Sequence, residues 1–140
     1  MNYEQKFQQI LVQWLNLALP RTVFWTAIDA SIGLPKDLAR RTGAFKKSMG
    51  VRAGVPDLLF VYQGWALFIE LKVDYYGGAR GVVKGKLSRD QQQIQVEIMS
   101  AGSAFCVCRT ISQVEQALRD FGIPLRGTSY QDVKIWGSAV

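Results

Sequence analysis

Two apolar segments, Leu58 to Tyr62 and Trp65 to Val73, are separated only by Gln63-Gly64. No other feature of the chain constrains its fold as strongly. Both segments are rich in β-branched and aromatic residues, and a glycine-containing pair between them supplies a tight turn, so they are expected to form an antiparallel hairpin. Leu58 and Phe60 fall on one face of the first strand, Leu59 and Val61 on the other. A strand that is apolar on both faces is covered on both sides. The hairpin therefore belongs inside a central mixed sheet sandwiched by helices.

The flanking sequence supplies those layers. From Tyr3 to about Leu19 the residues Tyr3, Phe7, Ile10, Leu11, Trp14 and Ala18 recur at helical spacing, and Pro20 ends the pattern. Thr22 to Ile28 reads as a strand. A basic stretch with Lys36, Arg40, Arg41, Lys46 and Lys47 reads as a short helix plus turns. Asp74 to Lys86 is glycine-rich and basic, a mobile loop by composition. Ser88 to about Ala101 is a helix, Ala104 to Arg109 a strand, Ile111 to Phe121 a helix, and the tail after Gly122 is weakly patterned. Neither repeats nor a linker interrupt the 140 residues, which suit one core. The expectation is a single α/β domain over residues 1–140, in the order α-β-α-β-β-α-β-α.

Absent residue types narrow the chemistry further. The chain contains no histidine, which excludes Ser-His-Asp and Cys-His nucleophilic catalysis and every histidine-containing zinc site. Cys106 and Cys108 are expected to point to opposite faces of a strand as buried structural thiols, in keeping with a reducing compartment. Chemistry must then come from carboxylates, lysine, arginine, amides or hydroxyls. A net charge of +6 and a pI near 9.6 admit a polyanionic partner such as nucleic acid, or simply a soluble basic protein. No apolar run reaches the roughly 18 residues of a membrane helix, and no signal-peptide pattern opens the chain, so a soluble cytoplasmic protein without membrane partners is expected.

The hairpin register gathers the candidate residues. With Tyr62 opposite Trp65, five steps back along each strand bring Asp57 opposite Glu70, on one face of the sheet. Lys72, two residues on, shares that face. Two carboxylates side by side repel unless a proton or cation lies between them. A hard divalent cation such as Mg²⁺ suits oxygen ligands of this kind, and the lysine could orient a water or stabilise a charged transition state. The alternative is a solvated ion-pair cluster at a strand end.

These residues resemble a known family. Gly54-Val55-Pro56-Asp57, twelve intervening residues, then Glu70-Leu71-Lys72 is similar to the PD-(D/E)XK nuclease signature. Gly50 to Phe60, Phe68 to Lys72 and Lys86 to Gln91 together closely resemble the virus-type replication-repair nuclease (VRR-NUC) domain, and the likeness runs from about Glu4 to Leu118. The resemblance implies a restriction-endonuclease-like core and a Mg²⁺-dependent endonuclease, with Mn²⁺ able to substitute. It implies Asp57, Glu70 and the Leu71 carbonyl as metal ligands, Glu4 completing the metal environment, and Lys72 as the catalytic lysine. Gln91 matches a family glutamine at the site, although Ser88-x-x-Gln91 is also a capping box. Around Asp29-Ala30-Ser31 the chain departs from the family pattern, and the Asp74–Gly85 stretch is longer than in compact members.

Two basic groups flank the centre: Lys36, Arg40, Arg41, Lys46, Lys47 and Arg52 before it, Arg80, Lys84, Lys86 and Arg89 after it. They are candidate contacts to the DNA backbone. No base-reading module is evident, so structured or branched DNA is the expected substrate, and the resemblance implies a homodimer of phage or bacterial type. A sequence-specific restriction-type nuclease and a non-catalytic DNA-binding module remain the competing readings.

Overall fold

A computed structural model describes residues 3–28 and 43–127 of the chain. The first helix, α1 (Tyr3–Ala18), buries Phe7, Ile10, Leu11, Trp14, Leu15 and Ala18, a stripe at the spacing that one helix face requires. β1 (Phe24–Ala27) follows, then helical residues at 43–48, β2 (Leu58–Tyr62) and β3 (Trp65–Leu71). β4 (Tyr75–Tyr76) and β5 (Val82–Val83) flank a short 3-10 turn at Gly78–Arg80. The chain continues through α2 (Arg89–Ser100), β6 (Ala104–Cys108) and α3 (Ile111–Asp120).

The main sheet has the order β1-β2-β3-β6, with β1 and β2 antiparallel to their neighbours and β6 parallel to β3. Tyr62 pairs with Trp65 and Leu58 with Ile69, which is the register expected from the turn. Gln63 and Gly64 both take positive φ, as a two-residue hairpin turn of this kind demands. The α/β class and the mixed, helix-flanked sheet are as expected.

The described residues cover the two faces of the sheet unequally. Leu58, Phe60, Leu67, Ile69 and Leu71 join the buried residues of α1 and α3 in one core. On the other side α2 contributes one buried residue, Ile94. Ile123 buries into the main core, and the Arg126 N–H donates to the Ala18 carbonyl, so the start of the weakly patterned tail is tied to α1.

Two expectations need correction. The stretch read as a mobile loop pairs with itself as β4–β5, because Tyr75-Tyr76 and Val82-Val83 have strand-forming backbones and the glycines between them make the turn. The cysteines do not point to opposite faces: residues two apart on a strand share one, and their sulfurs lie 3.8 Å apart. Cys108 is buried and both thiols are free.

Candidate active site

Asp57 immediately precedes β2, and its Oδ2 accepts a 2.7 Å hydrogen bond from the Leu71 N–H. The side chain thereby continues the β2–β3 ladder one step past the last backbone pair. The turn that presents it is held from below. Gly54 has φ +85, and a Cβ there would lie 2.5 Å from the Asp90 carbonyl carbon and 2.7 Å from the Gln91 nitrogen. Only glycine lets this turn seat on the first turn of α2. Pro56 is fully buried beside it.

Glu70 lies on β3 and is 2% exposed. Its Oε1 accepts a 2.9 Å hydrogen bond from Gln91 Nε2, while Oε2 is buried without a hydrogen-bond partner among the described residues. Lys72 Nζ stands 4.0 Å from Glu70 Oε1 and 3.7 Å from Glu4 Oε1, bridging the two acids. Burial, followed by the neighbouring Asp57 carboxylate, pushes the Glu70 carboxyl up to about 9, against the opposing pull of the Lys72 ammonium. A carboxylate here is stable only with a proton or a cation beside it.

Gln91 closes the helix cap and also reaches Glu70. Its Oε1 accepts from the Ser88 N–H at 2.9 Å and its N–H donates to Ser88 Oγ at 3.2 Å, a complete capping box. Its remaining amide N–H group is the one that holds Glu70, so helix capping fixes the amide's orientation toward the acid.

Glu4, Asp57, Glu70, Lys72 and Gln91 thus come together from α1, the turn before β2, β3 and the start of α2. Of Leu71, the N–H meets Asp57, and since the N–H and C=O of a strand residue face the same neighbour, the register turns its carbonyl to that edge. Among the described residues no three acid or thiol side chains close on a single point, and the Glu4 carboxylate is engaged by Lys72. The donors nevertheless suit a hard cation: they are oxygens, Glu70 Oε2 has no hydrogen-bond partner among the described residues, and the raised Glu70 pKa marks a place where positive charge is favourable.

The flanking basic residues are placed less uniformly. Lys36, Arg40 and Arg41 lie outside the described residues, as does Asp29-Ala30-Ser31. Lys46 is half-buried and Lys47 exposed on the helical segment at 43–48. Arg52 forks onto Glu97 of α2 at 2.8 and 2.6 Å, so its guanidinium ties the loop before Asp57 to that helix. Arg80, Lys84, Lys86 and Arg89 are all exposed.

One close approach near the site could not be foreseen from spacing or periodicity. At Gly85 a Cβ would lie 2.7 Å from the Val73 carbonyl oxygen and 3.5 Å from Lys72 Cβ. A glycine close to a motif in sequence was the only available signal. No family model, no curated protein and no solved structure matches this chain.

Proposed function

We propose that the chain is a Mg²⁺-dependent endonuclease of the PD-(D/E)XK type, of the VRR-NUC kind, hydrolysing phosphodiesters in branched or otherwise structured DNA. The observation that carries this reading is the pairing of Asp57 with buried Glu70 beside the Lys72 ammonium, at one end of an otherwise apolar hairpin. Asp57, Glu70 and the Leu71 carbonyl would hold the cation, with Glu4 near enough to Lys72 to complete the charge balance. When bound, Mg²⁺ supplies a ligand water of lowered pKa and neutralises charge on a phosphoryl oxygen.

The protein's own groups account for the rest. The Leu71 N–H and the Gln91 amide fix the two carboxylates, so neither must reorganise when substrate arrives. The Lys72 ammonium belongs to a residue only 8% exposed, and in that poorly solvated position its charge acts strongly on a phosphate oxygen or an attacking water. Glu4 and Glu70 hold the ammonium from either side.

The reading also carries a proposed homodimer, in which two centres address two strands of a junction. Among the described residues no helix is long and apolar enough to cross a membrane. The direct test is cleavage of a four-way junction, a flap, duplex and single-stranded DNA with Mg²⁺ or with EDTA. Mg²⁺-dependent cleavage that disappears in Asp57→Asn supports the proposal. Failure of the parent protein to cut any of these DNAs with Mg²⁺ or Mn²⁺ refutes it.

A further inference from the structure

The segment between Lys72 and Gln91 leaves the candidate site and returns to it. It departs from the end of β3, pairs with itself as β4–β5, turns over Gly77–Gly81, and comes back through Gly85 to Ser88 and Gln91. The turn is closed by the Gly77 N–H on the Gly81 carbonyl at 2.6 Å and the Gly81 N–H on the Gly78 carbonyl at 3.0 Å. One root of this arm is the end of β3, which carries Glu70 and leads directly into Lys72. The other is the helix cap whose Gln91 holds Glu70.

Two interactions fix the arm at its base. Asp74 pairs with Arg109 at 3.0 Å, at the end of β6. On the returning side, the Gly85 backbone lies against Val73 and Lys72 too closely for any side chain at that position. From Tyr75 to Arg89 the sequence contains Arg80, Lys84, Lys86 and Arg89 and no acid. All four are exposed, as is Val82 at 71%. A uniformly basic projection stands beside a centre whose carboxylates would otherwise repel a polyanion.

The geometry points to a β-ribbon clamp for duplex DNA: the β4–β5 arm lies in the major groove next to the scissile strand, Arg80 and Lys84 meet flanking phosphates, and Gly85 sets the arm's angle to Lys72. This rests on the nuclease reading above. The dimensions agree. The two residues of each strand span roughly 7 Å at strand rise, with the Gly77–Gly81 turn beyond them. The major groove is about 12 Å wide and about 8.5 Å deep, and it admits a two-stranded ribbon. A clamp that meets phosphates grips the backbone without selecting a base sequence.

The test uses the full chain and fluorescein-labelled duplex and single-stranded DNA of matched length. In a Glu70→Gln background, fluorescence anisotropy across a salt series reports binding without cleavage. Reversing Arg80 and Lys84 together to glutamate lowers duplex affinity by roughly tenfold or more at low salt. It also flattens the salt slope by about two, one for each phosphate that is no longer neutralised. Arg21→Glu, in the turn that follows α1, leaves both unchanged. In the otherwise unmodified protein, Gly85→Ala lowers kcat by roughly tenfold with little change in KM, because the arm still binds while its angle to Lys72 shifts. Duplex binding unaffected by the charge reversal overturns the clamp, and so does a loss confined to single strands. The two readings fail separately. Arm-dependent duplex binding without cleavage leaves the clamp and removes the nuclease, whereas cleavage indifferent to the arm does the reverse.

Discussion

The two faces of the β2–β3 hairpin are made by alternating residues of the same strands, yet they are used for different ends. Leu58, Phe60, Leu67, Ile69 and Leu71 point toward α1 and α3, and none is more than 4% exposed. One residue out of step, Leu59, Val61 and Phe68 are only half-buried, and α2 brings a single buried side chain to them. A groove of about 210 Å³ remains on that side, lined by Ile28, Val55, Pro56, Phe68, Ile94 and Ile98 among others. Glu70 belongs to this second face although Ile69 and Leu71, its neighbours, belong to the first. A strand can therefore anchor itself in a sealed core and still present a buried acid to the other side. The core face supplies the stability against which an unfavourable carboxylate is held.

That contrast breaks or sharpens under substitution. Phe60→Ala, on the sealed face, is expected to lower stability by about 3–5 kcal/mol, through lost transfer energy and the cavity left behind. Urea denaturation measures it, and a cost near that of an exposed position would dissolve the distinction between the faces. Phe68→Ala, on the partly open face, is expected to cost only about 1–2 kcal/mol by the same measurement, because less of its ring leaves water on folding. Equal costs at the two positions would show that α2 seals its side as fully as α1 and α3 seal theirs.

The third effect is a slope with pH. Glu70 is raised to about 9 from an ordinary 4.5, so the folded, metal-free protein keeps a proton that the unfolded chain releases. The stability this contributes is fully present below about 4.5 and is lost progressively as pH rises toward about 9, with a slope of at most about 1.4 kcal/mol per pH unit. Melting temperatures in EDTA across this window should fall for the parent protein and stay flatter for Glu70→Gln. Parallel curves for the two proteins would mean that Glu70 does not titrate as its burial requires.

Much of this arrangement was legible in the sequence because it is local. The Gln63-Gly64 turn sets the register, the register carries Asp57 toward Glu70, and strand alternation adds Lys72. The Ser88-x-x-Gln91 spacing marks a helix start, and the structure makes it one. What the sequence hid depends on segments far apart in the chain. Arg52 reads as a free cation until α2 brings Glu97 to it. Gly54 and Gly85 read as ordinary turn residues until the backbones they must clear are known. The β4–β5 arm was obscured by composition, since glycines that suggest mobility also permit a tight reversal between two short strands. The cysteine reading failed for a simpler reason: the two-residue period of a strand puts Cys106 and Cys108 on one face.

The central claim is that the charged end of this hairpin is a catalytic centre and not a structural ion-pair cluster, and Lys72→Ala probes it most directly. Cleavage rate, Mg²⁺ affinity and melting temperature are measured on the one variant. Turnover is expected to fall by roughly a hundredfold or more, the scale of losing a preorganised electrostatic group. Mg²⁺ should bind at least as well, because Asp57 and Glu70 lose a competing cation. The melting temperature should change little near neutral pH, since Glu70, raised to about 9, already carries a proton there, and the Glu4 carboxylate left behind is 44% exposed and solvated. A variant that melts far earlier yet cleaves DNA at the parent rate would contradict the account, making Lys72 a structural partner of Glu4 and Glu70 and nothing more.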